Sequence, residues 1–173
     1  MSHENQRDVW LRMDDAALLK KCREERYKAS GPGGQRRNKV VTAIRLRHPA
    51  TGIVVQAEES RYLKQNRARA LRRVRDRIAL ELRASFDLAS PPVVPELEAQ
   101  KMAGGKLSVN PNNPSYPIIL ATLLDAIEAT GSYAKAAHAL GITTSQLLRF
   151  LRSDPAVQRI LSAHPPQNDP SKL

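Results

Sequence analysis

Between Val40 and Leu82 the apolar residues change period once, and that change restricts the possible folds more than any other feature of the chain. Val40, Thr42, Ile44 and Leu46 alternate with Val41, Ala43, Arg45 and Arg47, the two-residue repeat of a strand buried on one face and basic on the other. His48-Pro-Ala-Thr-Gly52 supplies a turn, and Ile53, Val55 and Ala57 resume the alternation as the second strand of a hairpin. From Ser60 to Leu82 the spacing becomes helical, with Leu63, Ala70, Leu71, Val74, Ile78 and Leu82 on one stripe. A hairpin and an amphipathic helix bury their apolar faces by packing on each other, which predicts an α+β fold built on a small antiparallel sheet. Upstream, Asp14 is placed to cap a short helix running toward Lys20-Lys21, and Glu24 to Ala29 reads as a further strand.

The second half changes character. Pro91-Pro92, Pro95, Gly104-Gly105, Pro111, Pro114 and Pro117 predict a linker over 85–116, with a short helical piece around Glu96–Met102. Ile118–Ala129 then reads as a helix closed by Thr130-Gly131. Ser132–Leu140, Gly141-Ile142 and Thr143–Leu151 follow as helix, turn and helix, a helix-turn-helix pattern. Pro155 and Pro165-Pro166 mark its end. The expected division is therefore a first domain over 1–84, a linker over 85–116, a small all-α unit over 117–161 and a tail over 162–173.

Charge separates the two halves as sharply as pattern does. The net charge is +11, and residues 1–83 hold all of it, with 21 Lys and Arg against 10 Asp and Glu; residues 84–173 hold seven of each. Such a balance points to a polyanionic partner for the first half. Arg61, Lys64, Arg67, Arg69, Arg72, Arg73, Arg75 and Arg77 cover much of the long helix outside its apolar stripe, with Asp76 and Glu81 the acids among these turns. Self-repulsion on that face favours nucleic-acid contact over a merely solvated surface. Aromatic residues are only 4%, so phosphate contact is expected rather than a base-stacking platform.

Other chemistries find little support. Cys22 is the single cysteine, which leaves no internal disulfide or multi-cysteine metal site and suits a reduced, cytoplasmic setting. The four histidines lack metal-ligand spacing, so no metal or cofactor is expected. No apolar run approaches the roughly 20 residues a bilayer requires, and the polar start MSHENQRDVW lacks the apolar core of a secretory signal.

The most informative stretch is Ser30-Gly-Pro-Gly-Gly-Gln35-Arg-Arg-Asn38-Lys39. On its own a glycine-rich loop reads as a turn between strands, and this one matches neither phosphate-binding glycine signature. Its neighbours add to it. The order strand, SGPGGQ-x-x-NK, strand, HP-x-TGIVV, then a basic helix carrying Gln65-Asn66-Arg67 resembles the catalytic domain of class I peptide chain release factors. It is most similar to the short, stop-codon-independent rescue members of bacteria and mitochondria, over roughly residues 15–83.

That resemblance implies hydrolysis of the peptidyl-tRNA ester on the ribosome, with Gly33, Gly34 and Gln35 as the catalytic loop. The ester is already activated and the ribosome holds it, so the remaining task is to admit one water and stabilise an oxyanion. A backbone N–H can do so if the main chain comes very close, which Gly33 and Gly34 permit. The family implies that the Gln35 amide is that donor, while its neutral side chain shapes the pocket against larger nucleophiles. No general base is required of the protein, in keeping with a sequence that offers no convincing Ser-His-Asp or Cys-His set. By the same resemblance Asn38 and Lys39 seat the loop in ribosomal RNA, joined by Arg36 and Arg37, which stand where His-Val is commoner. Arg61, Lys64, Asn66, Arg67, Arg69, Arg72 and Arg73 are the expected RNA contacts of the helix. Tyr62 stands where the family often has a small polar residue.

The expected partners are peptidyl-tRNA and large-subunit ribosomal RNA, with no membrane. About fourteen polar residues precede the domain where full-length release factors carry a codon reader, and the neutral segment 84–173 stands where well-known rescue members have a Lys/Arg-rich tail. Two other readings remain open. One is a nucleic-acid-binding regulator using Thr143, Thr144, Ser145, Gln146, Arg149 and Arg152 of the helix-turn-helix. The other is a non-catalytic ribosome-associated factor. The neutral charge of the second half favours docking on the ribosome or a partner protein over reading DNA.

Overall fold

The structure, a computed structural model, describes residues 5–28, 41–102 and 107–163. The chain divides into two compact units, Met1–Ile78 and Ala79–Leu173.

The first unit holds α1 (Gln6–Arg12), α2 (Asp15–Lys20), β1 (Arg23–Tyr27), β2 (Ala43–Arg47), β3 (Val54–Ala57) and most of α3 (Leu63–Glu81). Both short helices start on side-chain caps. The Asn5 carboxamide accepts from Arg7 N at 3.1 Å and the Asp14 carboxylate from Ala17 N at 2.7 Å, each satisfying an amide the helix leaves open. The three strands form an antiparallel sheet in the order β1-β2-β3. Ile44 and Leu46 of β2 and Val55 and Ala57 of β3 face inward, while Arg45 and Arg47 are exposed, as the alternation requires. Ala70, Leu71, Val74 and Ile78 of α3 are buried with Leu18 of α2. Each fully buried aliphatic side chain contributes about 1.5–3 kcal/mol.

The β2–β3 turn is anchored by a histidine. His48 is 0% exposed, its Nδ1 lies 2.9 Å from Thr51 Oγ1, and Trp10 of α1 meets its ring edge-on with centroids 4.7 Å apart. Burial holds the imidazole below the usual histidine range, because the charged form is poorly solvated there.

The second unit holds the last turn of α3 with α4 (Pro95–Met102), α5 (Tyr116–Thr130), α6 (Tyr133–Ala139), α7 (Thr144–Arg152) and α8 (Pro155–Ala163). Twelve consecutive residues of α5, Tyr116–Ile127, are buried, so this helix needs cover on every side. That need explains the main departure from expectation. Residues 85–116 are not a free linker: Phe86, Val94, Leu97, Leu107 and Val109 are buried, α4 packs on α5, and Asp125 of α5 accepts from Ala84 N at 3.0 Å. The boundary falls at 78/79 rather than 84/85, and the proline-rich segment belongs to the helical unit.

Two short helices, α6 and α7, are joined by a glycine-bearing turn. Gly141, at φ +65°, ends α6 in a Schellman motif, with Gly141 N donating to His138 O and Ile142 N to Ala137 O, both at 3.0 Å. Thr143 and Gln146 then make a reciprocal capping box at the start of α7, at 3.2 and 2.8 Å. Pro155 does not end the unit; it opens α8, where a missing N–H costs nothing, and Asp154 caps Ala156 N at 2.8 Å.

The burial of His48 sets a pH dependence. Its folded-state affinity for protons is depressed, so its contribution is fully present above the ordinary value of about 6.5 and is lost as pH falls through the lower folded value. The melting temperature should therefore drop on acidification from pH 7.5 through the histidine range, and His48→Asn should flatten that drop while lowering the plateau. A variant that tracked the wild-type profile in parallel would assign the acid sensitivity elsewhere.

Candidate active site and nucleic-acid interface

Seven residues singled out by the sequence, Gly33, Gly34, Gln35, Arg36, Arg37, Asn38 and Lys39, lie outside the described residues. The strands on either side fix where their segment is attached. Tyr27 is the register partner of Ala43, so the connection leaves β1 and enters β2 at the same end of the sheet.

That end is tied down by the first turns of α3. Asn66 is 0% exposed. Its Nδ2 donates to Thr42 O at 2.7 Å and to Ser60 O at 2.8 Å, and its Oδ1 accepts from Ser60 N at 2.9 Å. Both amide protons and the carbonyl are thereby used. Asn66 was expected to touch RNA; it is instead an internal strut joining α3 to the residue just before β2. Beside it Arg67 forks onto Glu24 of β1, Nε to Oε2 at 2.7 Å and Nη2 to Oε1 at 2.9 Å. Hydrogen bonding from Arg67, with a smaller contribution from Arg26, holds the Glu24 carboxyl below the usual carboxylate range. Tyr27 itself donates to Glu58 at 3.2 Å and lies under Arg45, 5.6 Å from the guanidinium to the ring centroid. Burial first, and then Glu58, push its phenol above the ordinary tyrosine value.

Further along α3, Arg73 donates to Gln56 O of β3 and to Glu59, and Glu59 is held below the usual carboxylate range chiefly by that arginine. Arg69 stands 4.0 Å from the same carboxylate. Arg75 reaches Asp15 at 2.7 Å and Met13 O at 2.8 Å. Several α3 arginines are therefore engaged within the first unit. Arg67, Arg69, Arg73 and Arg75 meet acids from β1, the β3–α3 connection and α2, so the expected self-repulsion is partly answered inside the molecule. Helical periodicity misses these partners because they lie 43, 14 and 60 residues away from Arg67, Arg73 and Arg75.

Lys64, Ala68 and Arg72 are exposed at one-turn spacing along the outer side of α3, and Arg61, just before the helix, is exposed with its guanidinium 4.8 Å from the Tyr62 ring centroid. Tyr62 is 51% exposed, so Arg61 and Tyr62 present a planar cation on an aromatic face. This outer side can hold phosphate by charge. Among the described residues no three His, Cys, Asp or Glu side chains could hold a metal ion together, and no described helix is long and apolar enough to cross a membrane.

Comparison with known proteins bears on the same stretch. Residues 17–92 match the family model of the RF-1 domain. Peptide chain release factor 1 of Streptococcus thermophilus is 48% identical over 60 residues, 35% of this chain and 17% of that protein. Peptide chain release factor 1 of Streptococcus agalactiae is 47% identical over 60 residues, with the same coverage. The chain thus spans about 17% of the length of the curated relatives it matches.

The strut assignment has a direct consequence. Asn66→Ala should lower unfolding stability by about 2–4 kcal/mol, since buried backbone groups at Thr42 and Ser60 lose their partner, whereas Lys64→Gln should stay within about 0.5 kcal/mol. Urea denaturation of both variants is the check. A stable Asn66→Ala protein would return that residue to the surface role first expected.

Proposed function

We propose, from the match of residues 17–92 to the RF-1 domain and the likeness to peptide chain release factor 1, that the chain hydrolyses the ester of peptidyl-tRNA on the ribosome. The observation that carries the reading is the Ser30-Gly-Pro-Gly-Gly-Gln35 sequence within the matched stretch; it lies in the chain between β1 and β2, which pair at Tyr27 and Ala43 and are braced by Asn66 and Arg67.

In this reading the chemistry is main-chain chemistry. The carbonyl carbon of the ester is attacked by water, the C=O electron pair moves onto oxygen, and the Gln35 N–H stabilises that oxyanion. Collapse of the intermediate breaks the bond to the tRNA 3′ oxygen, which leaves with a proton, and the peptide is freed as a carboxylate. Gly33 and Gly34 let the backbone approach the ester without a side chain in the way. A rigid attachment at the sheet end matters because orientation supplies much of the rate in such a step. Arg36, Arg37, Asn38 and Lys39 seat the segment in large-subunit RNA, and Arg61, Lys64 and Arg72 add phosphate contacts from the α3 face.

Independence from a stop codon belongs to the same proposal, because the order of motifs is most similar to the short rescue members. Action on ribosomes makes the cytoplasm the place of work. The rival reading, a regulator acting through α6 and α7, has the well-formed helix-turn-helix elements in its favour, but residues 84–173 carry no net charge to draw them to a duplex.

The test is peptide release from purified ribosomes holding peptidyl-tRNA in the P site, on messages with an empty A site, a sense codon or a stop codon. Release should proceed without a stop codon, and Gly34→Ala should slow it by at least about 10²-fold while ribosome binding persists. Wild-type release by Gly34→Ala would overturn the loop mechanism. Release confined to stop codons would overturn the rescue reading while leaving the hydrolysis in place.

A further inference from the structure

We propose that the outward face of α7 docks on the sugar-phosphate backbone of a structured RNA. The choice of RNA rests on the ribosomal reading above; the phosphate chemistry rests on the face itself.

Ser145, Leu148, Arg149, Arg152 and Ser153 line a shallow concavity of about 440 Å³. Positions 145, 149 and 152 fall on one side of a helix, and all three side chains are exposed. The surface therefore offers two guanidinium groups about one turn apart and a hydroxyl, with the half-buried Leu148 between them. Among the described residues no aromatic side chain lines this patch, and its polar groups are two guanidiniums and two hydroxyls. Its chemistry is that of a phosphate cradle.

Acids of the same unit have partners of their own. Asp154, which follows α7 directly, accepts from the Tyr116 hydroxyl at 2.9 Å and caps Ala156 N at 2.8 Å. Glu128 pairs with Arg83 at 3.2 Å, Glu98 with Lys101 at 2.6 Å, and Asp125 with Ala84 N at 3.0 Å. The neutral total of the second half therefore does not describe the α7 face, where Arg149 and Arg152 are exposed.

Capping also decides what kind of contact α7 can make. A helix that reads bases presents the polar side chains of its first turn to the groove. Here Thr143 and Gln146 are bound to each other's backbone in the capping box, so two of the four polar side chains at the start of α7 hold the helix end. What remains outward is the Arg149–Arg152 side, suited to backbone contact that positions without reading sequence.

The experiment is a salt titration of full-chain affinity for a short labelled RNA hairpin and for a DNA duplex of the same sequence, by fluorescence anisotropy. Arg149→Gln with Arg152→Gln should weaken RNA binding at least about tenfold near physiological salt and flatten the slope of log affinity against log salt by about 1.5–2. Arg149→Lys with Arg152→Lys should keep the slope, because point charges suffice for phosphate. An unchanged slope in the glutamine pair overturns the proposal. So does a preference for the DNA duplex that the lysine pair loses, which would mark base reading. Peptide release by the same proteins separates the two claims: release with RNA affinity untouched by the glutamine pair sinks this inference alone. A glutamine-pair defect in a protein that releases no peptide leaves the RNA face standing and sinks the ribosomal reading.

Discussion

One buried carboxamide holds the first unit together where its most consequential segment is attached. Asn66 bridges the carbonyl of Thr42, just before β2, and both backbone groups of Ser60, just before α3. At 0% exposure the carboxamide is withdrawn from bulk solvent, so a helix displaced from this position forfeits these three bonds. The Arg67–Glu24 fork adds β1 and the Arg73–Gln56 bond adds β3. The apolar stripe of α3 supplies the driving force for packing, which is non-directional. The polar bonds supply the register that the stripe alone leaves open.

This division of labour reshapes the meaning of the positive charge. A helix with eight cations in and beside its sequence suggests a uniform polyanion-binding face. In the fold, four of its arginines act on carboxylates of neighbouring elements, and the exposed cations are Arg61, Lys64, Arg72 and Arg77, with an exposed Tyr62 beside Arg61. A narrower face suits a surface that orients a domain, since each cation has a defined direction. Among the other cations of that half, those at 36, 37 and 39 directly follow the glycine-rich segment in the sequence.

Local signals were legible in the sequence and long-range partnerships were not. The two-residue alternation marked β2 and β3, the helical stripe marked α3, and the cap at Asp14 placed a helix start, because each signal is complete within a few residues. Prolines over 85–116 read as a tether since composition reports what a backbone can do, not what a neighbour requires. The requirement came from α5, whose apolar surface runs all the way round and takes its cover from that stretch. Pro155 misled for a related reason: a proline that stops one helix is equally suited to begin the next. Asn66 and Glu24 carried no local mark at all, because their roles exist only once strands and helix are juxtaposed. The motif that most strongly indicates chemistry, at 33–35, was legible as sequence and lies outside the described residues.

The most direct test is a structure of the full chain on a ribosome carrying peptidyl-tRNA with a hydrolysis-resistant amide in place of the ester. Gln35 N should lie within about 3.5 Å of the oxygen at the reacting carbonyl, with Lys64 and Arg72 against large-subunit RNA and the Asn66 bonds intact. Residues 33–35 seated away from the tRNA 3′ end, or the outer side of α3 turned to solvent, would contradict the proposed hydrolysis.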